Sequence, residues 1–231
     1  MGKRATVSLL LILSAVPIRG QPQTSQGAAP RPPAPEAPPP ARLQPTAFGQ
    51  FVERLEAGDR TVDFTELRLA YTETPAYTGM MMGFYRSLWG TLNARDFEGA
   101  LTIADTVFER SYAEPNAHMV AALAHSQSGH REQEQFHRFI AAGLLRSITS
   151  HGDGKTPETA YQVIDTSEEY ALFRSLNLTP KSQSSGPPTS GGAITDRMVV
   201  VDSRTNEERV IYFTVDSPGA AALRRQVTQP R

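Results

Sequence analysis

The stretch that decides the fold is residues 80–108, MMMGFYRSLWGTLNARDFEGALTIADTVF. Its large apolar residues recur three and four positions apart, the spacing that places side chains on one face of an α-helix. The first series is Met80, Met81, Phe84, Tyr85, Leu88, Trp89 and Leu92, and the second is Phe97, Ala100, Leu101, Ala104, Val107 and Phe108. Asp96 stands between them as a helix N-cap, so we predict two helices joined by a turn at Arg95-Asp96.

Two shorter helices are predicted upstream of this pair. One apolar stripe ends at Gly58 and consists of Phe48, Phe51, Val52 and Leu55. Asp63 and Glu66 have the spacing of an N-cap and its reciprocal partner, so a further helix is predicted to begin after Asp63.

A second pair of helices is predicted downstream, the first capped by Asn116 and the two joined by a turn at Gly129-His130. From Arg95 to Gly129 is 34 residues, the period of tetratricopeptide-type helical hairpins, which the two pairs resemble. Two units are fewer than a self-supporting array needs, so we predict a repeat-like helical layer over 47–149 and not a solenoid. Its apolar stripes are explained by core packing, which we favour, or by a concave groove.

The apolar period changes after Ser150. Short apolar runs predict strands at 160–164, 197–202 and 209–216. Thr166 and Glu169 have the spacing of a capping box for a helix after the first strand, whereas residues 179–193, rich in Pro, Gly and Ser, predict a flexible insertion. The sequence therefore predicts an α+β fold, with antiparallel helical hairpins packed against a small three-stranded sheet in the 150–217 part.

The two ends of the chain predict segments outside this domain. Residues 1–20 combine a basic start with an apolar stretch too short to span a bilayer, which is typical of a signal peptide. An uncleaved N-terminal anchor is the alternative. Residues 21–46 are rich in proline and predict a disordered linker, or else a ligand for a proline-binding module. A single α+β domain then spans 47–217, and residues 218–231 are predicted to form a disordered tail.

Composition excludes several classes of protein. The 231 residues include no cysteine, which excludes disulfide scaffolds and cysteine-based metal centres. The 23 basic and 24 acidic residues nearly balance, so no nucleic-acid partner is expected. After removal of the signal we expect no integral membrane domain, and no motif predicts a cofactor. The expected location is exported: periplasmic, cell-envelope or extracellular.

One motif in the second half of the chain carries a family resemblance. It reads Ser147-Ile148-x-x-His151-Gly152-Asp153-Gly154-Lys155-x-x-Glu158-Thr159-Ala160-Tyr161-x-Val163-Ile164, followed by Glu168-Glu169-Tyr170. With it, the chain resembles the bacterial domain of unknown function 4919, found mostly in exported proteins, over roughly residues 60 to 216. The resemblance implies a secreted α+β domain without an assigned activity, and it supplies no catalytic residues.

Five residues are the candidate binding residues: His118, His137, Asp153, Glu168 and Tyr170. The two histidines could approach each other across the predicted turn, and with Asp153 they would form a metal triad. No spacing presents two ligands on adjacent helical turns, which favours ordinary surface and interface histidines, and no metal site is predicted. Asp153 lies in a Gly-Asp-Gly-Lys segment that a tight turn explains better than a phosphate or calcium loop. Glu168 lies in the first turn of a predicted helix, where acids complement the helix dipole.

We therefore expect a non-catalytic binding or scaffold domain of the cell envelope, with an envelope protein or peptide as its partner. The alternative is a hydrolase or metal-dependent enzyme with a site near His151, Asp153 and Glu168, since adjacent turns could bring these side chains together. The two hypotheses differ in one structural feature. An enzyme needs these groups converging in an open pocket, whereas a binding domain can hold them apart in turns.

Overall fold

The computed structural model describes residues 46–77, 82–190 and 193–215 of the chain. The predicted signal peptide, nearly all of the predicted linker and the predicted tail lie outside the described residues, as do Met80 and Met81.

The described residues form seven α-helices. These are α1 Ala47–Glu56, α2 Phe64–Thr72, α3 Met82–Asn93, α4 Phe97–Phe108, α5 Pro115–Gln127, α6 Arg131–Thr149 and α7 Thr166–Ser175, with a short 3-10 helix at Pro157–Thr159. Consecutive helices from α3 to α6 pack against each other. The turns between α3 and α4 and between α5 and α6 contain Arg95 and Gly129, both at positive φ, so the turns lie where the sequence predicts them. Within the described part of the chain, no helix combines the length and apolar character needed to cross a membrane.

Two of the predicted N-caps are confirmed. The Asp63 carboxylate accepts hydrogen bonds from two amide N–H groups of the first turn of α2, at 2.8 and 3.1 Å. The Asp96 carboxylate accepts one from Gly99 at the start of α4, at 2.9 Å. These bonds satisfy donors that a helix start would otherwise leave unpaired, and they fix where each helix begins.

Two other caps differ from the prediction. Helix α5 is capped by Glu114, whose carboxylate accepts from the amide of Asn116, the residue predicted to be the cap. Helix α7 is capped by Asp165, which accepts from the amide of Ser167 at 2.7 Å, so the capping box predicted for Thr166 and Glu169 is wrong. In both cases an acid one or two residues earlier reaches the free amides first, because Pro115 and Thr166 already belong to the helix.

The sheet has four strands, so the prediction of a three-stranded sheet is wrong in number while the α+β class is confirmed. The strands are β1 Tyr161–Val163, β2 Leu178–Ser185, β3 Thr195–Asp202 and β4 Glu208–Val215, in the spatial order β1-β4-β3-β2. β1 pairs with β4 in parallel, and the β4–β3 and β3–β2 pairs are antiparallel.

The additional strand, β2, lies in the segment for which composition predicts a flexible insertion. It is an edge strand, and most of its side chains are exposed. Backbone pairing with β3 needs no apolar side chains, and the register shift between Pro180 and Ser182 accommodates a proline that cannot donate to the ladder. An exposed polar edge strand therefore lacks the apolar alternation that predicts a strand.

Three apolar clusters form the interior. One joins α3, α4 and α5 around Trp89, one joins α1, α2 and α6, and one joins the end of α6 with α7 and the sheet. Leu144 belongs to the second cluster, whereas Ile148, one turn later on α6, belongs to the third. Helix α6 therefore connects the helical layer to the sheet.

Candidate functional site

A pair of histidines links α5 to α6 behind the surface of the helical layer. His118 is fully buried, and its Nε2 lies 2.9 Å from the carbonyl oxygen of Tyr112. Its Nδ1 lies 3.0 Å from Nδ1 of His137. Burial, with the neighbouring His137 ring, lowers the pKa of His118 to about 3, and burial likewise lowers the pKa of His137 to about 4. Both rings are therefore neutral at pH 7.

This geometry fixes the tautomer of both rings. A carbonyl oxygen only accepts, so Nε2 of the neutral His118 ring carries its hydrogen and Nδ1 is a bare acceptor. His137 must then donate from Nδ1 across the 3.0 Å contact, which leaves the lone pair on its Nε2. No described protein group forms a hydrogen bond to that second nitrogen of His137. The buried ring of His118 thus holds the ring of His137 in one orientation and in one tautomer.

His137 also lines an open cleft in the helical layer. This cleft has a volume of about 720 Å³. Its walls come from α1, from α4 with the residues after it, and from α6: Val52, Glu56, Asp105, Phe108, Glu109, Tyr112, Glu132, Gln133, Phe136 and His137. The half-buried or buried aromatic rings form its floor, and the rings of Phe108 and His137 stack with centroids 5.3 Å apart.

The rim of the cleft is acidic. Its four carboxylates are Glu56, Asp105, Glu109 and Glu132, all exposed, and none of the ten residues lining the cleft is basic. Within the described ranges, none of these carboxylates forms a salt bridge. Burial and the Glu56 carboxylate together raise the pKa of the Tyr112 phenol at the floor. The cleft thus concentrates negative charge that the chain as a whole does not have, since its net charge is only −1.

The candidate residues His151, Asp153 and Glu168 each have separate partners, and none contacts another. The imidazole of His151 contacts the neighbouring Ser150 hydroxyl at 2.8 Å. The Asp153 carboxylate accepts from the amide of Lys155 and from the hydroxyl of Thr159, and pairs with the Lys155 ammonium at 2.9 Å. These bonds to Lys155 and Thr159 hold the pKa of Asp153 well below its usual range.

Glu168 is buried and fully engaged. Its two oxygens accept from Arg68 at 2.8 and 2.6 Å, in a bidentate ion pair whose two side chains are 5% and 2% exposed. One of the same oxygens accepts from the amide of Ile164 at 2.9 Å. A carboxylate held in this way ties α2 to α7 and the β1–α7 connection, and it has no face open to a substrate.

Tyr170 lies at a second, smaller cleft of about 350 Å³ between α3, α7 and β2. Its ring meets that of Tyr85 edge-on, with centroids 5.3 Å apart. Beside them, Arg174 stacks its guanidinium on Trp89, 3.7 Å from the ring centroid. Arg174 therefore already supplies the cation that stacks on the aromatic rings at this cleft.

The structure thus brings together two of the five candidate residues, His118 and His137, and places the other three apart. Among the described residues, no group of three or more His, Cys, Asp or Glu side chains is placed to hold a metal ion. The acidic rim was not predicted, because its members come from three separate helices. One local signal exists: Asp105 near the end of α4 and Glu109, the residue that follows this helix, are four positions apart and therefore lie on one side, next to Phe108.

The fold and the cleft define an α+β domain with an open, acidic cleft lined by aromatic side chains in its helical layer. The family model described as Domain of unknown function (DUF4919) matches residues 45–221, so the chain belongs to that family. No curated protein and no solved structure matches the chain significantly.

Proposed function

We propose that this protein is a non-catalytic binding domain that takes up an extended peptide segment of a partner in the cleft between α1, α4 and α6. One observation carries this proposal: the cleft combines a volume of about 720 Å³ with a floor of aromatic side chains. Ligand sites in proteins are concave, largely apolar and of a few hundred to about a thousand Å³.

Binding rather than catalysis is supported by the candidate acid–base residues. His151, Asp153 and Glu168 hold turns and an ion pair together, each with its own partners. An enzyme site built from these groups would need them to face one substrate, each within hydrogen-bond reach of the proton that it transfers, and these three side chains do not converge.

We also propose that the chain is exported and that the partner belongs to the cell envelope. The support is the basic and apolar pattern of residues 1–20 and the proline-rich segment 21–46, which would hold the domain away from its point of attachment. A fusion of residues 1–46 to a reporter enzyme that is active only outside the cytoplasm tests this. We expect activity from the fusion, and a reporter that stays inactive would refute export.

The binding proposal is tested by blocking the cleft. Gln133 and Gln135 are both exposed on α6, but only Gln133 lines the cleft. We expect a random peptide display library selected on the full chain to yield peptides that bind the wild type and Gln135→Trp, and that fail to bind Gln133→Trp. If no peptides are enriched, or if both variants bind them equally, the proposed function is wrong.

A further inference from the structure

We infer that the cleft binds the guanidinium group of an arginine side chain presented by the partner peptide. This inference rests on the binding function proposed above and specifies its ligand. It is argued from three properties of the cleft: the sign of its charge, the nature of its floor, and the hydrogen-bonding capacity of His137.

The charge of the cleft selects a cation. Four carboxylates from three parts of the chain surround one opening, with no basic residue among the ten that line it. Among the described residues, the seven ion pairs involve six carboxylates, and none of these six lies on the rim. The charge of the rim is therefore not compensated by an ion pair within the described part of the chain. A positively charged partner reduces the repulsion between like charges that are held together at one site.

The floor of the cleft selects a planar cation over a compact one. Phe108, Tyr112 and Phe136 are aromatic, and a guanidinium stacks on aromatic faces while its edge donates to carboxylates. The chain uses the same pairing internally, since the guanidinium of Arg60 lies 4.3 Å from the ring centroid of Phe139. An ammonium group is more strongly hydrated and gains less from such a surface.

His137 adds an acceptor that does not depend on charge. Its Nδ1 is engaged by the buried His118, so the ring presents a lone pair at Nε2 and cannot rotate to present a donor without losing that bond. A cleft lined by carboxylates and a fixed imidazole acceptor is matched to a ligand with several N–H donors. Arginine carries five N–H donors and no acceptor.

A divalent cation is a less suitable occupant. Such an ion needs several oxygen or nitrogen ligands converging at about 2 to 2.6 Å. In the described ranges, no three His, Cys, Asp or Glu side chains are placed to do this. The rim carboxylates instead line an opening wide enough for a side chain, which fits a ligand that is itself several ångströms across.

The test uses two blocked peptides of the sequence Ala-Arg-Gly-Ala-Arg-Gly, one with arginine and one with citrulline, its neutral analogue of the same shape. Isothermal titration calorimetry on the full chain measures both. We expect the arginine peptide to bind at least about tenfold more tightly than the citrulline peptide, since one charge-assisted hydrogen bond contributes about tenfold or more to affinity. We also expect its affinity to fall severalfold as salt rises from about 50 to about 300 mM.

Matched double variants show whether the rim is responsible. Glu56→Gln with Glu109→Gln removes two charges from the rim, whereas Glu53→Gln with Glu98→Gln removes two exposed charges from the same two helical segments outside the cleft. We expect the first pair to abolish most of the preference for arginine over citrulline and the second to preserve it. Equal effects of the two pairs would show that binding follows overall charge, which overturns the inference.

The outcomes separate this inference from the proposed function. If the cleft-dependent peptides from the display library lack arginine, or if the citrulline peptide binds as well as the arginine peptide, the ligand class is wrong while peptide binding stands. If no peptide of any composition binds in a manner that Gln133→Trp blocks, both are wrong.

Discussion

Replacing Glu169 by glutamine should reduce the fall in folding stability between pH 5 and pH 8. Glu169 lies on α7 and is completely buried, and within the described part of the chain no group of suitable geometry donates a hydrogen bond to either carboxylate oxygen. Burial, the nearby carboxylate of Asp196 and, to a smaller extent, those of Asp165 and Glu168 together raise its pKa to about 8. The folded protein therefore keeps a proton on this residue that the unfolded chain, with its ordinary pKa near 4.5, has already lost.

The sign and size of the effect follow from this difference. Because the folded pKa is raised, the stabilisation is complete below about pH 4.5 and is lost as the pH rises towards 8. Between pH 5 and pH 8 the unfolded state binds nearly one proton fewer than the folded state, at about 1.4 kcal/mol per pH unit. The free energy of unfolding should thus fall by about 3 kcal/mol over this interval on account of Glu169 alone. Glutamine has the shape of the protonated acid and does not ionise, so the variant should lack this fall.

The assay is equilibrium unfolding in urea at pH 5, 6, 7 and 8, followed by circular dichroism, for the wild type, Glu169→Gln and the control Glu53→Gln. Glu53 is exposed on α1, and its replacement should leave the wild-type profile unchanged. At pH 5 the buried variant should be close to the wild type in stability, and at pH 8 it should be the more stable of the two. Parallel profiles for the wild type and Glu169→Gln would show that Glu169 is not held in its protonated form, and the reasoning would be refuted.

Two further predictions concern buried polar pairs. Arg68→Ala should lower the free energy of unfolding by about 3–5 kcal/mol, because it leaves the Glu168 carboxylate buried without its ion-pair partner. Arg54→Ala, which removes an exposed ion pair, should cost less than about 1 kcal/mol in the same urea titration, and equal losses would contradict the assigned burial. Nitrogen-15 NMR at pH 7 should show the hydrogen of His118 on Nε2 and that of His137 on Nδ1; the reverse assignment in either ring would contradict the proposed acceptor.

The helical part of the fold was predictable because its signal is local. The stripe through Phe84, Leu88 and Leu92 follows from the burial of one face of α3. The cap at Asp96 follows from the free amide groups in the first turn of α4. The turns at Arg95 and Gly129 were predictable for the same reason. Strand β2 was not, since its side chains are mostly exposed and its stability comes from backbone pairing with β3. Such pairing depends on a distant segment and leaves no apolar pattern.

The candidate site was predicted only where the sequence brings two groups together through a short turn. His118 and His137 meet because α5 and α6 are adjacent in sequence and pack closely. The carboxylates of Glu56, Glu109 and Glu132 meet only after α1 packs beside α4 and α6, and three helices separated by dozens of residues give no spacing to recognise. A group of side chains that comes from distant helices can therefore be recognised only from the structure, and not from the sequence.

The motif that carries the family resemblance specifies the fold and not the cleft. A side chain at Gly152 would collide with the carbonyl oxygen of Thr159. Gly154 adopts a positive φ, and its amide donates to that same carbonyl oxygen at 2.7 Å. The Asp153 carboxylate accepts a hydrogen bond from the Thr159 hydroxyl, and Glu168 forms the ion pair with Arg68 that anchors α7. Each of these residues stabilises a turn or connects two elements of the fold, so its polar groups are already engaged within the protein. Since the ten residues that line the cleft all lie upstream of this motif, experiments on what the protein binds should target α1, α4 and α6.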